Sequence, residues 1–229
     1  MSALKTAYRI AMPPLTGPGY YGLVLTMMDN GGREVAVLLI NRLFRLPLIL
    51  REPVGVMTDV YTTWALLFGV RTGAIEAAMK AVSAAHERAQ SSRVPLITCG
   101  QSMAGGLAQF QIAALRASCA GNEGPAGFLT FNAAHAAISI ERLGLKPGAI
   151  PGINYCKDRD PGVGPHSLLP NRAGLQIYVH ADGTGGLTPR GGLFSALFHP
   201  WEHFLRGFDR VCLNKIAAEL SLIGRGRVG

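Results

Sequence analysis

The strongest indication of the fold class comes from the stretch of residues 100–106, Gly100-Gln101-Ser102-Met103-Ala104-Gly105-Gly106. Residues 94–99, just before it, form a short and largely apolar run that is typical of a strand buried in a parallel sheet. Residues 107–119, just after it, are rich in Ala, Leu and Gln and predict a helix. A tight turn of small residues between strand and helix would present the Ser102 hydroxyl at the sheet edge. The N–H of Met103 is then the predicted donor to an oxyanion, aided by the positive end of the helix.

Strand-like and helix-like segments alternate along the rest of the sequence. Residues 21–27 and 34–40 are β-rich and flank Asp29-Asn30-Gly31-Gly32, which predicts an N-terminal β-hairpin. An amphipathic helix is predicted over residues 74–90. The remaining predicted elements are strands over 128–132, 152–156 and 175–180 and a helix over 201–222. This alternation predicts a single α/β domain over residues 1–229, with a mostly parallel central sheet and helices on both faces.

Composition and charge exclude some classes of protein. Hydrophobic residues make up 48% and charged residues 16% of the chain, which argues against disorder. Subtracting 14 acidic from 22 basic residues gives a net charge of +8. The basic residues are scattered, and only Arg225 and Arg227 approach a cluster, so no nucleic-acid partner is expected. Peripheral contact with an anionic phospholipid surface is the favoured interpretation of the charge.

The cysteines and the apolar segments bear on metal binding and location. The four cysteines form no CxxC pair or Cys/His cluster, so neither a metal site nor disulfides are expected. Residues 1–16 lack the order of charged and apolar regions found in a signal peptide. The longest apolar stretch, residues 35–50, is interrupted by Asn41, Arg42 and Arg45 and is no membrane span. The sequence thus predicts a cytoplasmic protein by default, with export by a signal-independent route as the alternative.

Two stretches resemble a known family by their residues, and a third matches it by its place in the chain. Residues 100–109, G-Q-S-M-A-G-G-L-A-Q, resemble the elbow G-H-S-L-G-G-A-L-A-Q of the class 3 (fungal-type) lipases of the α/β-hydrolase superfamily. Thr130-Phe131-Asn132-Ala133 is similar to the T-F-[GN]-x-P strand that follows that elbow. The helix opening at Thr72-Gly73-Ala74 stands where the family has its V-H-x-G-F helix. The resemblance spans residues 20–205, is close over 94–133, and implies an α/β-hydrolase fold with Ser102 as nucleophile.

The chain also departs from the family pattern. Gln101 replaces the usual His, Ala104 stands at the second Gly of G-x-S-x-G, and Ala134 replaces Pro. The R-G-T motif that supplies a second oxyanion donor is missing near residues 40–46. Residues 41–43, just after a predicted strand, are the positional candidates for that donor.

The nucleophile needs a base, and the base needs an orienting carboxylate, in the chain order Ser, Asp or Glu, His. Asp160, directly before Pro161, resembles the catalytic Asp of the family's N-D-P-V segment, and Asp158 is the alternative. His199, before the last predicted helix, resembles the family's H-S-L-D-N-F histidine, and His203 is the alternative.

The resemblance implies a serine lipase or esterase that acts on a lipid-like ester, an acylglycerol or a phospholipid, through a Ser-Asp-His triad and an acyl-enzyme. No metal or organic cofactor is needed for that chemistry. A phospholipase toxin would use the same mechanism. The alternative from a different class is a non-catalytic hydrolase-fold protein that binds an apolar ligand or an anionic membrane surface. The missing R-G-T motif and the altered elbow are the observations that keep this alternative open, while the serine hydrolase is the leading hypothesis.

Overall fold

The computed structural model describes residues 7–42, 61, 65, 69–119, 124–157, 172–179 and 185–187. Its strands are β1 (Ala7–Ile10), β2 (Leu15–Gly17), β3 (Tyr20–Met28), β4 (Glu34–Arg42), β5 (Leu96–Gln101), β6 (Ala126–Phe131), β7 (Gly152–Lys157), β8 (Leu175–Val179) and β9 (Gly185–Gly186). Its helices are α1 (Gly73–Ser92), α2 (Ser102–Cys119), the short α3 (Ala137–Glu141) and a 3₁₀ helix (Pro147–Ala149). None of these helices is long and apolar enough to cross a membrane. The predicted last helix, over 201–222, lies outside the described residues.

The chain divides into two compact units, Met1–Tyr155 with Leu169–Gln176 and Cys156–Leu168 with Ile177–Gly229. In the smaller unit, Tyr178 and Val179 of β8 pair antiparallel with the glycines of β9. The larger unit contains the elbow sequence. A single domain over residues 1–229 stays a prediction.

The larger unit is built on a mixed sheet with a parallel centre. The strand order is β1-β3-β4-β5-β6-β7-β8, with β2 also paired to β3, and β8 contributes only residues 175–176 to this unit. The pairs among β1 to β4 are antiparallel, whereas β4, β5, β6 and β7 run parallel to one another. Because parallel strands point the same way, the carboxyl ends of β4, β5 and β6 share one edge of the sheet. The predicted α/β fold with a parallel centre is confirmed.

The predicted N-terminal hairpin is also confirmed. β3 and β4 are joined by a turn in which the Asp29 N–H donates to the Arg33 carbonyl at 2.9 Å. Asp29 Oδ1 accepts the N–H groups of Gly31 and Arg33 at 2.9 and 2.8 Å. Gly32 takes a φ of +74°, which glycine adopts without steric cost. Hydrogen bonding from the Arg33 backbone holds the pKa of Asp29 below its ordinary value.

Helix α1 packs through a face of small residues. Thr72 caps its first turn, accepting the Ile75 N–H at 3.3 Å, and Arg93 ends it in the left-handed region. Ala78, Ala81 and other alanines of this helix are buried, which lets its backbone approach its neighbours closely. The core of the larger unit therefore lies between the sheet and helices α1 and α2.

Candidate active site

Ser102 stands at the point where strand becomes helix. β5 ends at Gln101 and α2 begins at Ser102, so no connecting loop separates the two elements. Ser102 has a φ of +53°, in the left-handed region that side chains disfavour. Holding a non-glycine residue there costs about 1–3 kcal/mol, which the surrounding structure must offset. The half-buried Ser102 is thus held at a strained apex, as the strand-turn-helix interpretation predicts.

Gly100 makes this turn possible because it has no side chain. A Cβ placed on Gly100 would overlap the main-chain carbonyl of Ala104 and lie 2.7 Å from the Gly105 nitrogen. The strand and the first turn of the helix therefore approach each other more closely than any larger residue allows. Ala104, in place of the second Gly of G-x-S-x-G, is buried and leaves the turn intact.

Gly105 permits a second close approach, on the side of β6. A Cβ on Gly105 would lie 2.8 Å from the Ala133 Cβ in the segment that follows β6. The next residue, Ala134, donates its N–H to the Ser102 carbonyl at 2.8 Å. The segment after β6 thus contacts the main chain of the strained serine directly. The sequence placed Gly105 in the turn but gave no signal of this contact.

Met103 follows Ser102 in the first turn of α2, where N–H groups have no partner within the helix. The positive end of the helix dipole lies at the same place. A negative oxygen formed on an acyl group attached to Ser102 would meet this end of the helix. This position agrees with the predicted oxyanion role of Met103, which stays a prediction.

The Asn41 side chain is committed to the core. Its Nδ2 donates to the Gln111 Oε1 at 2.7 Å and to the Cys99 carbonyl at 3.2 Å, while its Oδ1 accepts the Tyr20 hydroxyl at 2.7 Å. Burial raises the pKa of Tyr20 well above its ordinary range, so the phenol stays protonated and donates. Gln111 in turn donates to the Ala78 carbonyl at 2.8 Å. Among residues 41–43, the Asn41 amide is therefore unavailable as an oxyanion donor.

Cys99 lies three positions before Ser102 in β5, and its thiol is the other nucleophile close in sequence. Burial raises the pKa of the Cys99 thiol to about 12, so the reactive thiolate is scarce near neutral pH. The hydroxyl of Ser102 is the better candidate nucleophile at this end of β5.

The structure brings Ser102 and Met103 together at one helix end. The predicted acid Asp160 and its alternative Asp158 lie outside the described residues, as do His199 and its alternative His203. Their roles stay predictions. In the part of the chain that the structure describes, no group of three or more His, Cys, Asp or Glu side chains could hold a metal ion.

Several solved structures are similar to this chain. They are fungal lipases. Lipase II from Rhizopus niveus has 15% identity and a TM-score of 0.43, over 72% of this chain and 66% of the lipase. The Rhizomucor miehei lipase in a propeptide complex has 11% identity and a TM-score of 0.46, over 80% and 67%. A lipase from Rhizopus microsporus var. chinensis has 9% identity and a TM-score of 0.44, over 83% and 73%.

The chain thus spans about two thirds of the first two lipases. No protein-family model matches it, and no curated protein sequence does. These structural neighbours are lipases of the fungal type that the sequence resemblance named.

Proposed function

We propose that this chain is a serine ester hydrolase in which Ser102 is the nucleophile. The observation that carries the proposal is the positive φ of Ser102 at a junction packed by Gly100 and Gly105. Glycine would adopt this positive φ at a lower steric cost than serine. A serine at this position therefore indicates that its hydroxyl has a role. A hydroxyl raised at a sheet edge beside a helix N-terminus suits attack on an acyl carbon.

The proposed reaction follows the acyl-enzyme route. Ser102 Oγ attacks the ester carbonyl carbon, and the Met103 N–H stabilises the tetrahedral oxyanion. His199, or alternatively His203, takes the hydroxyl proton and returns it to the leaving alcohol. Asp160, or alternatively Asp158, orients the imidazole. Water then hydrolyses the acyl-enzyme with the same histidine as base.

A lipid-like ester is the proposed substrate class, with an acylglycerol and a phospholipid both included. The apolar composition supports it, and a net charge of +8 favours an anionic lipid surface. Large apolar side chains are exposed in the described part of the chain: Tyr8, Ile10, Tyr61, Val70, Leu175 and Leu187. A phospholipase toxin would share this chemistry and differ only in where it acts.

The test is labelling by a fluorophosphonate probe, which reacts with activated serines, together with hydrolysis of a short-chain ester. Wild type should be labelled and active, whereas folded Ser102→Ala should lose both properties. Ser83→Ala is the matched control, because Ser83 lies on the exposed surface of α1 and donates only to the Met79 carbonyl. It should behave as wild type.

Two outcomes would contradict the proposal. Undiminished hydrolysis by folded Ser102→Ala would exclude Ser102 as the nucleophile. A folded wild-type protein that is neither labelled nor active would favour the non-catalytic alternative, and binding to neutral and anionic lipid vesicles would then be measured.

A further inference from the structure

Polar side chains are buried behind the elbow where apolar ones would be expected. Thr130 on β6 and Asn154 on β7 are 0% and 2% exposed, and Gln109 on α2 is 3% exposed. Burying an amide or a hydroxyl is costly unless each polar atom finds a partner. The hydrogen bonds of these side chains therefore indicate what the cluster does.

The side chains form one directed chain of hydrogen bonds. Gln109 Nε2 donates to Thr130 Oγ1 at 3.2 Å, and the Thr130 hydroxyl donates to Asn154 Oδ1 at 3.0 Å. Asn154 Nδ2 donates to Gln176 Oε1 at 2.8 Å, and Gln176 Nε2 donates to the Ala173 carbonyl at 2.7 Å. Each donor thus meets an acceptor, and successive bonds polarise one another. Through these bonds Asn154 on β7 is linked to β6 and helix α2 on one side and to Gln176 of β8 on the other.

Asn154 reaches Ser102 through two consecutive main-chain groups. Its Oδ1 also accepts the Ala133 N–H at 3.3 Å, and the adjacent Ala134 N–H donates to the Ser102 carbonyl at 2.8 Å. Ala133 is also the residue whose Cβ faces Gly105. Since Gln109 and Ser102 share helix α2, the hydrogen bonds close a ring that begins and ends at the elbow.

We propose that Asn154 is a positioning residue for Ser102. By fixing residues 133–134, it holds the Ser102 peptide in its strained conformation and so directs the hydroxyl. This role rests on the proposed hydrolase function. Asn154 itself touches no reacting atom, so its effect should fall on turnover and leave ester binding largely unchanged.

The test compares Asn154→Ala with Gln176→Met. Asn154→Ala removes the acceptor of the Ala133 N–H, whereas Gln176→Met breaks the same chain only on its far side. We expect Asn154→Ala to lower kcat for a short-chain ester by about 10- to 100-fold, the size of effect that a misplaced reacting group produces. KM should stay within about twofold, because binding of the ester is not altered. Gln176→Met should keep both constants near those of wild type.

A conservative variant guards against misfolding. Asn154→Asp keeps the acceptor oxygen for Ala133 and Thr130 and has almost the same volume. Burial favours its protonated carboxyl, whose hydroxyl can donate to Gln176 Oε1 as the Asn154 amide does, so this variant should recover most of the lost kcat. Hydrogen exchange of the Ala134 amide gives a readout independent of catalysis. It should accelerate in Asn154→Ala and stay slow in Asn154→Asp and Gln176→Met.

Different results overturn the two proposals. If wild type is labelled and active while folded Asn154→Ala keeps its kcat, the positioning role is wrong and the hydrolase proposal stands. If Asn154→Ala fails to fold, the Asn154→Asp protein provides the test. A kcat about 10- to 100-fold below that of wild type, or fast hydrogen exchange of the Ala134 amide, contradicts the positioning role. A wild type with neither labelling nor hydrolysis overturns the hydrolase proposal and this inference with it.

Discussion

The hairpin turn at residues 29–33 and the elbow at residues 100–105 solve the same backbone problem in different ways. Each reverses or redirects the chain tightly and includes a positive φ. In the hairpin the positive φ belongs to Gly32, and Asp29 satisfies the turn with its own carboxylate. In the elbow it belongs to Ser102, and glycines at other positions provide the room. A turn that only connects two strands places glycine where the strain would fall.

The difference between the two turns indicates that the elbow keeps a side chain at its strained position and the hairpin does not. The hairpin turn lies at the protein surface, and a change there should affect stability alone. The elbow is supported by the segment after β6, in which the Ala134 N–H donates to the Ser102 carbonyl and Ala133 packs closely against Gly105. That support offsets the strain on Ser102.

The largest effect is expected for the residues proposed to assist Ser102. Asp160→Asn should lower turnover by about 10⁴-fold, because an amide favours the wrong imidazole tautomer. His199→Ala should also lower turnover by orders of magnitude, because an unassisted serine is a poor nucleophile near neutral pH. Steady-state hydrolysis of a short-chain ester by each folded variant measures both effects.

The matched controls carry the same changes elsewhere. Asp29→Asn alters the hairpin carboxylate and should leave turnover at the wild-type level. Asp158→Asn and His203→Ala should be mild. A severe Asp158→Asn beside a mild Asp160→Asn would move the acid role by two residues, and an inactive His203→Ala beside an active His199→Ala would move the base role.

The next effect concerns packing at the elbow. Gly100→Ala places a methyl group on the Ala104 carbonyl, so strand and helix must move apart. Overpacking of this kind should lower the free energy of unfolding by about 3 kcal/mol and abolish hydrolysis. Gly148→Ala in the 3₁₀ helix is the control, because its added Cβ has no atom within 4 Å. Urea unfolding measures the free energy of unfolding of both variants. Equal values for Gly100→Ala and Gly148→Ala would show that the close approach at Gly100 does not matter for stability.

Much of the parallel centre was predictable because buried strands leave short apolar runs and an amphipathic helix leaves a periodic pattern. The start of α2 was not: the sequence predicted a helix from residue 107, whereas it begins at Ser102. Gly105 and Gly106 looked like turn residues, yet tertiary packing against Ala133 makes the smallest residue favourable inside the helix at Gly105. Short edge elements such as β1 and β2 gave no pattern because three or four residues define no period.

The candidate site was predictable only in part. The small residues around Ser102 indicated the elbow, since a tight turn requires them at fixed spacing. The support from Asn154 could not be foreseen, because a single polar residue in an apolar strand gives no sign of its partners. Chain order limits the acid and the base to residues beyond Ser102, but it does not separate His199 from His203.

The smallest effect tests the contrast most directly. Ser102→Gly and Ser102→Ala both lack the hydroxyl and should both be inactive, yet they differ in backbone freedom. At a φ of +53° the glycine variant should be more stable by about 1 kcal/mol, because alanine keeps the steric cost of the left-handed region. In a chain of this length that difference corresponds to a shift of about 2–4 °C in Tm.

Gly32→Ala makes the opposite exchange in the hairpin. Its Cβ would meet no atom within 4 Å, so only the positive φ of +74° opposes it, and stability should fall by about 1 kcal/mol. Thermal unfolding of the three variants and wild type would measure both exchanges. A Ser102→Gly protein less stable than Ser102→Ala would mean that the elbow backbone is not strained, and the positive φ of Ser102 would then give no support to its role as nucleophile. The expected result shows instead that both turns favour glycine and that only the hairpin has it.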